Sequence, residues 1–157
     1  MRGKGGMVSD EEAHNVTVTF PMKAHVYDSR RGKYLGDIQT YKTQVTPAIA
    51  QVYGILPYKL KALQVQGTHC KRGDVARFTV TAQVEAGKSS GKHVWRVDVR
   101  NSEGNLQPAH AKRVVVENGT ADVEIPIALN AEIGKWHLRV RDAATGVRGE
   151  CDFEVQP

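Results

Sequence analysis

Three observations predict an all-β chain, a seven-stranded immunoglobulin-like sandwich preceded by a small antiparallel β-sheet segment. Apolar Trp136, Leu138 and Val140 alternate with charged His137, Arg139 and Arg141, the period of a half-buried strand, and a turn follows at residues 142–146. Cys151, Phe153 and Val155 then alternate with Glu150, Asp152 and Glu154, which completes a hairpin. Upstream, five more extended runs recur at short intervals between Gly-, Asn-, Asp- and Ser-containing turns. That spacing is the pattern of a sandwich.

Taken in order, residues 1–15 hold three glycines and mixed charges with no periodicity, and read as a flexible leader. Residues 16–57 read as a β-strand segment, the remnant of a preceding β-domain. Val16, Val18 and Phe20 alternate with threonines, Pro21 interrupts, and residues 24–28 resume the extended run. A turn at residues 29–33 leads to Tyr34 and Leu35, Gly36-Asp37 bends the strand before residues 38–45, and the apolar run 48–56 stops at Pro57. Four strands in so short a piece are too few to stand alone and need support from the larger unit C-terminal to them.

Residues 58–157 read as the sandwich. Residues 60–65 form its first strand, and in 75–84 Ala76, Phe78, Val80, Ala82 and Val84 face one way. A Gly-Lys-Ser-Ser-Gly loop at 87–91 precedes the inward Trp95, Val97 and Val99. Residues 114–116 make a short strand, Asn118-Gly119 signals a hairpin, and Ala121, Val123, Ile125, Ile127 and Leu129 point inward. Trp95 and Trp136 are expected to plug the core from facing positions.

The totals restrict function more than they assign it. With 157 residues, 40% hydrophobic and 25% charged, the chain is long enough for one domain plus a smaller piece and lies in the globular range. The net charge of +5 is spread: residues 1–58 carry 7 basic and 5 acidic side chains, residues 59–157 carry 15 and 12. The outward faces pair a basic row on residues 137–141 with an acidic row on 150–154, so nucleic acid is not expected as a partner. No apolar run approaches the ~20 residues of a membrane span, and no membrane partner is expected. Cys70 and Cys151 are expected as separate thiols, Cys151 packing as a small hydrophobe.

No catalytic, cofactor-binding or metal-binding residue emerges. The six histidines have no ligand spacing, and His69 beside Cys70 reads as an exposed turn. The 87–91 loop lacks the residue order of a phosphate loop and no helix follows it. No Asp or Glu is expected in an apolar setting that would raise its pKa, so the chain reads as a non-enzyme needing no cofactor. Both tryptophans point inward, which leaves tyrosines as sugar platforms, and Tyr34 and Tyr41 are the expected exposed pair for glycan contact.

Several segments carry a family resemblance: residues 24–28 with 32–36, Tyr53-Gly54-Ile55-Leu56-Pro57-Tyr58, residues 127–130, and Gly134-Lys135-Trp136 through Asp142 to Gly146. From Val16 onward the chain resembles the C-terminal β-domains of large bacterial glycoside-hydrolase-like proteins. The Gly-x-Trp run with the following Asp and Thr-Gly is also similar to macroglobulin-type and other bacterial immunoglobulin-like domains. The resemblance implies a non-catalytic accessory domain whose partner is the catalytic domain of the same parent protein. The alternative is an independent module of immunoglobulin-like type that recognises a glycan or protein. Strands torn from a preceding domain would fold onto the sandwich or drive homo-oligomer formation through exposed edges. Nothing in the sequence assigns a compartment.

Overall fold

The computed structural model describes residues 13–157, and most of the expected leader lies outside them. Its last two residues, His14 and Asn15, already belong to a strand. The first third is a three-stranded antiparallel sheet of β1 (His14–Asp28), β2 (Lys33–Val45) and β3 (Tyr53–Leu56), in the order β2-β1-β3. Three strands replace the four expected. Pro21 does not end β1, because the β1–β2 ladder skips from Thr19 to Ala24, so its missing N–H costs no ladder bond. The apolar run 48–56 supplies a strand only from Tyr53.

The sandwich comes next in the chain. One sheet holds β4 (Leu60–Gly67), β6 (Val75–Val84) and β9 (Thr120–Pro126), in the order β4-β6-β9. The other holds β5 (Cys70–Lys71), β7 (His93–Arg100), β8 (Lys112–Val116), β10 (Gly134–Asp142) and β11 (Arg148–Gln156), in the order β5-β11-β10-β7-β8. Seven of these eight strands are those the alternation predicts. The eighth, β5, is a two-residue strand parallel to the end of β11, with Cys70 opposite Val155. Cys70 and Cys151 therefore sit four positions apart along that edge as free thiols, both with pKa values raised by burial.

Side-chain parity fills the interior. Phe78 of the three-stranded sheet meets Phe153 of the other edge-to-face at 5.0 Å, and Trp136 lies 6.1 Å from Phe153. Trp95 and Trp136 are both buried, but from one layer and not from facing positions, since β7 and β10 are neighbours in one sheet. Two further expectations are corrected. Asn118-Gly119 does not close a hairpin: β8 pairs with β7 and β9 with β6, so this turn carries the chain from one sheet to the other. Leu129 is 82% exposed, because the β9 ladder ends at Pro126 and the chain then turns away after Ile127.

The small sheet is docked at its base. Tyr27 of β1 is 1% exposed inside the sandwich core, where its hydroxyl donates to the Leu60 carbonyl at 3.1 Å and accepts the Leu60 N–H at 2.8 Å. Beyond the reach of β3, the outer part of β1 and β2 is a two-stranded ribbon. One ribbon face, with Val16, Val18, Tyr41 and Val45, is half-covered; the other is exposed.

Candidate functional site

The polar residues worth weighing gather where the small sheet meets the sandwich. The period of β10 continues inward through Asp142, and that of β7 starts inward at His93, so both polar side chains enter the core at adjacent strand ends. Tyr58 joins them from the link between β3 and β4. His93 Nδ1 lies 2.6 Å from Asp142 Oδ2, and Tyr58 Oη lies 2.8 Å from His93 Nε2. Asp142 Oδ1 accepts the Thr145 N–H at 2.7 Å and the Thr145 hydroxyl at 2.8 Å, and Tyr58 Oη accepts the Gly91 N–H at 2.7 Å.

The donors and acceptors close in one arrangement. A carboxylate only accepts, so Nδ1 of His93 carries a proton; Nε2 then accepts from the Tyr58 hydroxyl, whose oxygen takes the Gly91 N–H. This assignment leaves no group in the relay unpaired and one formal charge, on Asp142. Burial pushes Asp142 upward, but the hydrogen bonds from His93 and from the N–H and hydroxyl of Thr145 outweigh it and hold the carboxyl below its ordinary range. The connectivity is that of a tyrosine, a base and an orienting carboxylate. Asp142 and Thr145 have no exposed surface, His93 has 3% and Tyr58 6%, so no substrate reaches the relay as it stands.

Asp142 is thus a buried carboxylate whose pKa is lowered and not raised, and the 7%-exposed Asp98 lies between Arg96 and Arg139 on the outer face; the sequence reading singles out neither His93 nor Asp142. The missed signal was parity. The alternation that places Trp95 and Val140 inside places His93 and Asp142 inside one step further on.

The turn that carries Asp142 is also the docking peg. Gly146, at φ 73°, lies against Gly32, at φ 65°, in the β1–β2 turn. Ser29 Oγ donates to the Ala144 carbonyl, and Arg141 Nη2 donates to the Ser29 carbonyl at 2.6 Å. A Cβ at Gly54 would overlap the Ala144 carbonyl. Beside this peg, on the outer face of the five-stranded sheet, opens a cleft of about 300 Å³ with Val52, Val94 and Ala143 among its apolar walls and Arg30, Arg96, Arg113 and Arg141 at its rim.

The two tyrosines expected to contact glycan are not brought together. They lie seven positions apart on β2, about 23 Å along a strand. Tyr34 packs against Tyr27 at 5.0 Å, its hydroxyl meets His25 Nδ1 at 2.7 Å, and Lys59 covers its ring at 4.4 Å. Tyr41 is half-buried with its edge toward Tyr53 at 6.2 Å. His69 is exposed, and among the described residues no group of three or more His, Cys, Asp or Glu side chains is placed to hold a metal ion.

No protein-family profile and no curated protein matches the chain. Among solved structures it is similar to the CARDB domain of a Pyrococcus furiosus protein in complex with di-metal ions, at 13% identity and a TM-score of 0.45, over 62% of this chain and 93% of that one. It is similar to a β-glucosidase from Listeria innocua at 15% identity and a TM-score of 0.42, over 76% of this chain and 18% of that one. It is also similar to the alkylpurine DNA glycosylase AlkC of Pseudomonas fluorescens, bound to DNA containing an abasic site analogue, at 17% identity and a TM-score of 0.37. That match covers 60% of this chain and 30% of the glycosylase. The chain spans less than a third of the glucosidase and of the glycosylase.

Proposed function

We propose that the chain is a non-catalytic accessory module of a carbohydrate-active protein, a sandwich and a docked ribbon that act together by presenting surfaces. The observation that carries this reading is the sealed relay. The acid–base set with the connectivity of a catalytic group is spent inside the junction, each hydrogen-bonding position filled by the protein itself. The carbohydrate context is supported by the resemblance of the segments around Ala24, Tyr53 and Trp136 to the C-terminal β-domains of glycoside-hydrolase-like proteins.

A neighbouring domain, or a second copy of the chain, would meet it along the outer edge of β2, beyond which the sheet has no strand among the described residues. Two measurements test the reading together. Purified protein incubated with neutral and acidic polysaccharides is expected to release no reducing ends above buffer. The protein recovered from its source with an antibody against this chain is expected to be longer than these 157 residues and to carry glycosidase activity. Turnover by the isolated chain defeats the non-catalytic half, and a short, inactive native product defeats the accessory half in favour of an independent binding module.

A further inference from the structure

On the outer face of the five-stranded sheet the strand register aligns four arginines. Arg113 of β8 is opposite Arg96 of β7, Arg96 is opposite Arg141 of β10, and Arg141 is opposite Arg148 of β11. Parity places all four outward. Like charges directly opposite one another across strands destabilise a sheet, so this row works against the fold that carries it.

Local acids do not neutralise the row. Arg96 shares Asp98 with Arg139, at 3.0 and 3.4 Å. Arg141 reaches only the backbone carbonyls of Ser29 and Arg30, and Arg30 only that of Ala50. Among the described residues, Arg30, Arg113, Arg141 and Arg148 form no ion pair. Glu150, two positions from Arg148, is turned to His137 at 3.8 Å, and the Asp142 charge lies beneath the sheet, committed to His93 and Thr145.

Beside the row runs an apolar strip. Val94 and Val115 are opposite each other and 39% and 69% exposed, and Val52, just before β3, lines the cleft with Val94 and is 49% exposed. The site therefore pairs a line of forked cation donors with an aliphatic floor. Arginine forks bind carboxylates in a bidentate manner, and several together favour a polyanion over a single ion.

We propose that this face binds an acidic polysaccharide, with a chain of uronic acids laid across the strands, its carboxylates on the arginine row and its ring faces on the Val94–Val115 strip. Adjacent arginines are one strand apart, about 4.8 Å, so the row offers a continuous line of cations longer than any single carboxylate can span. The carbohydrate class rests on the function proposed above; the anion site itself rests on the row.

Titration calorimetry of the intact protein with tetragalacturonate, cellotetraose and tetraglutamate tests it. Binding is expected for tetragalacturonate alone, and R96Q/R113Q is expected to weaken it at least about tenfold. The control R77Q, on the outer face of the other sheet beside Glu124, is expected to leave it unchanged. R113Q alone, which removes an exposed like charge and breaks no ion pair, is expected to weaken binding while leaving the melting temperature equal or higher, which separates lost binding from lost folding. No binding, binding that survives R96Q/R113Q, or tetraglutamate binding as tightly overturns the proposal. Cleavage of the bound tetramer would count against the non-catalytic reading and leave the binding site standing.

Discussion

Asp142 brings one negative charge into an interior it could not occupy alone, and three donors make it tenable. D142N keeps the shape but turns an amide toward His93 and loses the charge-assisted bonds. The expected cost is about 2–3 kcal/mol, a fall in melting temperature of about 4–12 °C at 2–4 °C per kcal/mol for a domain of this size. The pH dependence has a definite sign. The folded-state value of Asp142 is lowered from 3.8, so its contribution is complete above that value and disappears as pH falls through the lower, folded one. Thermal melts from neutral pH into acid should show the wild type losing stability below about pH 4, with D142N starting lower and losing less. Equal acid slopes for the two proteins would show that the charge contributes nothing. Asp152 is also lowered, by Lys135 and then His137, but it is exposed and screened, so its share of the acid limb is small.

Among the elements, the β10–β11 turn does two jobs, closing a hairpin and pegging the small sheet. Its hairpin role is legible in the sequence, because Trp136 to Val140 and Cys151 to Val155 announce two strands by period alone. Its pegging role is not. The fit of Gly54 under Ala144 joins residues 90 positions apart and depends on an absent side chain, which no local pattern encodes. The same limit explains the Asn118-Gly119 error: turn chemistry fixes the bend but not which sheet receives the next strand. Gly54 has no positive φ, so its requirement is purely one of space. G54A is therefore expected to cost about 1–3 kcal/mol and to act locally. Hydrogen exchange should quicken at β3 and the β1–β2 turn while β6 and β10 amides keep their protection. Uniform loosening of both sheets, or none, would mean that the turn is not the peg.

For the molecule as a whole, the question is whether ribbon and sandwich are one cooperative unit. The period-two pattern shows two groups of strands, and it says nothing about how firmly they join. Tyr27 was legible as a strand residue but not as the side chain that crosses the junction, since an aromatic in an alternating run has the same signature on either side of a boundary. In the structure its ring lies in the sandwich core and its hydroxyl satisfies both backbone groups of Leu60, where β4 begins. Burial raises its pKa from 10.0 to about 12, with the Leu60 hydrogen bond opposing and Tyr34 and Asp142 adding to the rise. A tyrosine whose folded value is raised stabilises fully below its unfolded value and less as pH climbs through the folded one. Its contribution, of order 2–3 kcal/mol for two pH units, should fade between about pH 10 and 12. Y27F removes the titrating hydroxyl and strands the Leu60 N–H and C=O, at about 1–3 kcal/mol near neutral pH, and should flatten the alkaline limb. Both tryptophans lie in the sandwich, so their fluorescence reports that layer alone, while exchange at Val26 and Ile38 reports the small sheet. If Tyr27 couples the two, the probes share one denaturant midpoint in the wild type and shift together in Y27F. A wild-type midpoint for Val26 and Ile38 well below that of the tryptophans would mean that the ribbon folds and unfolds independently of the sandwich on which it rests.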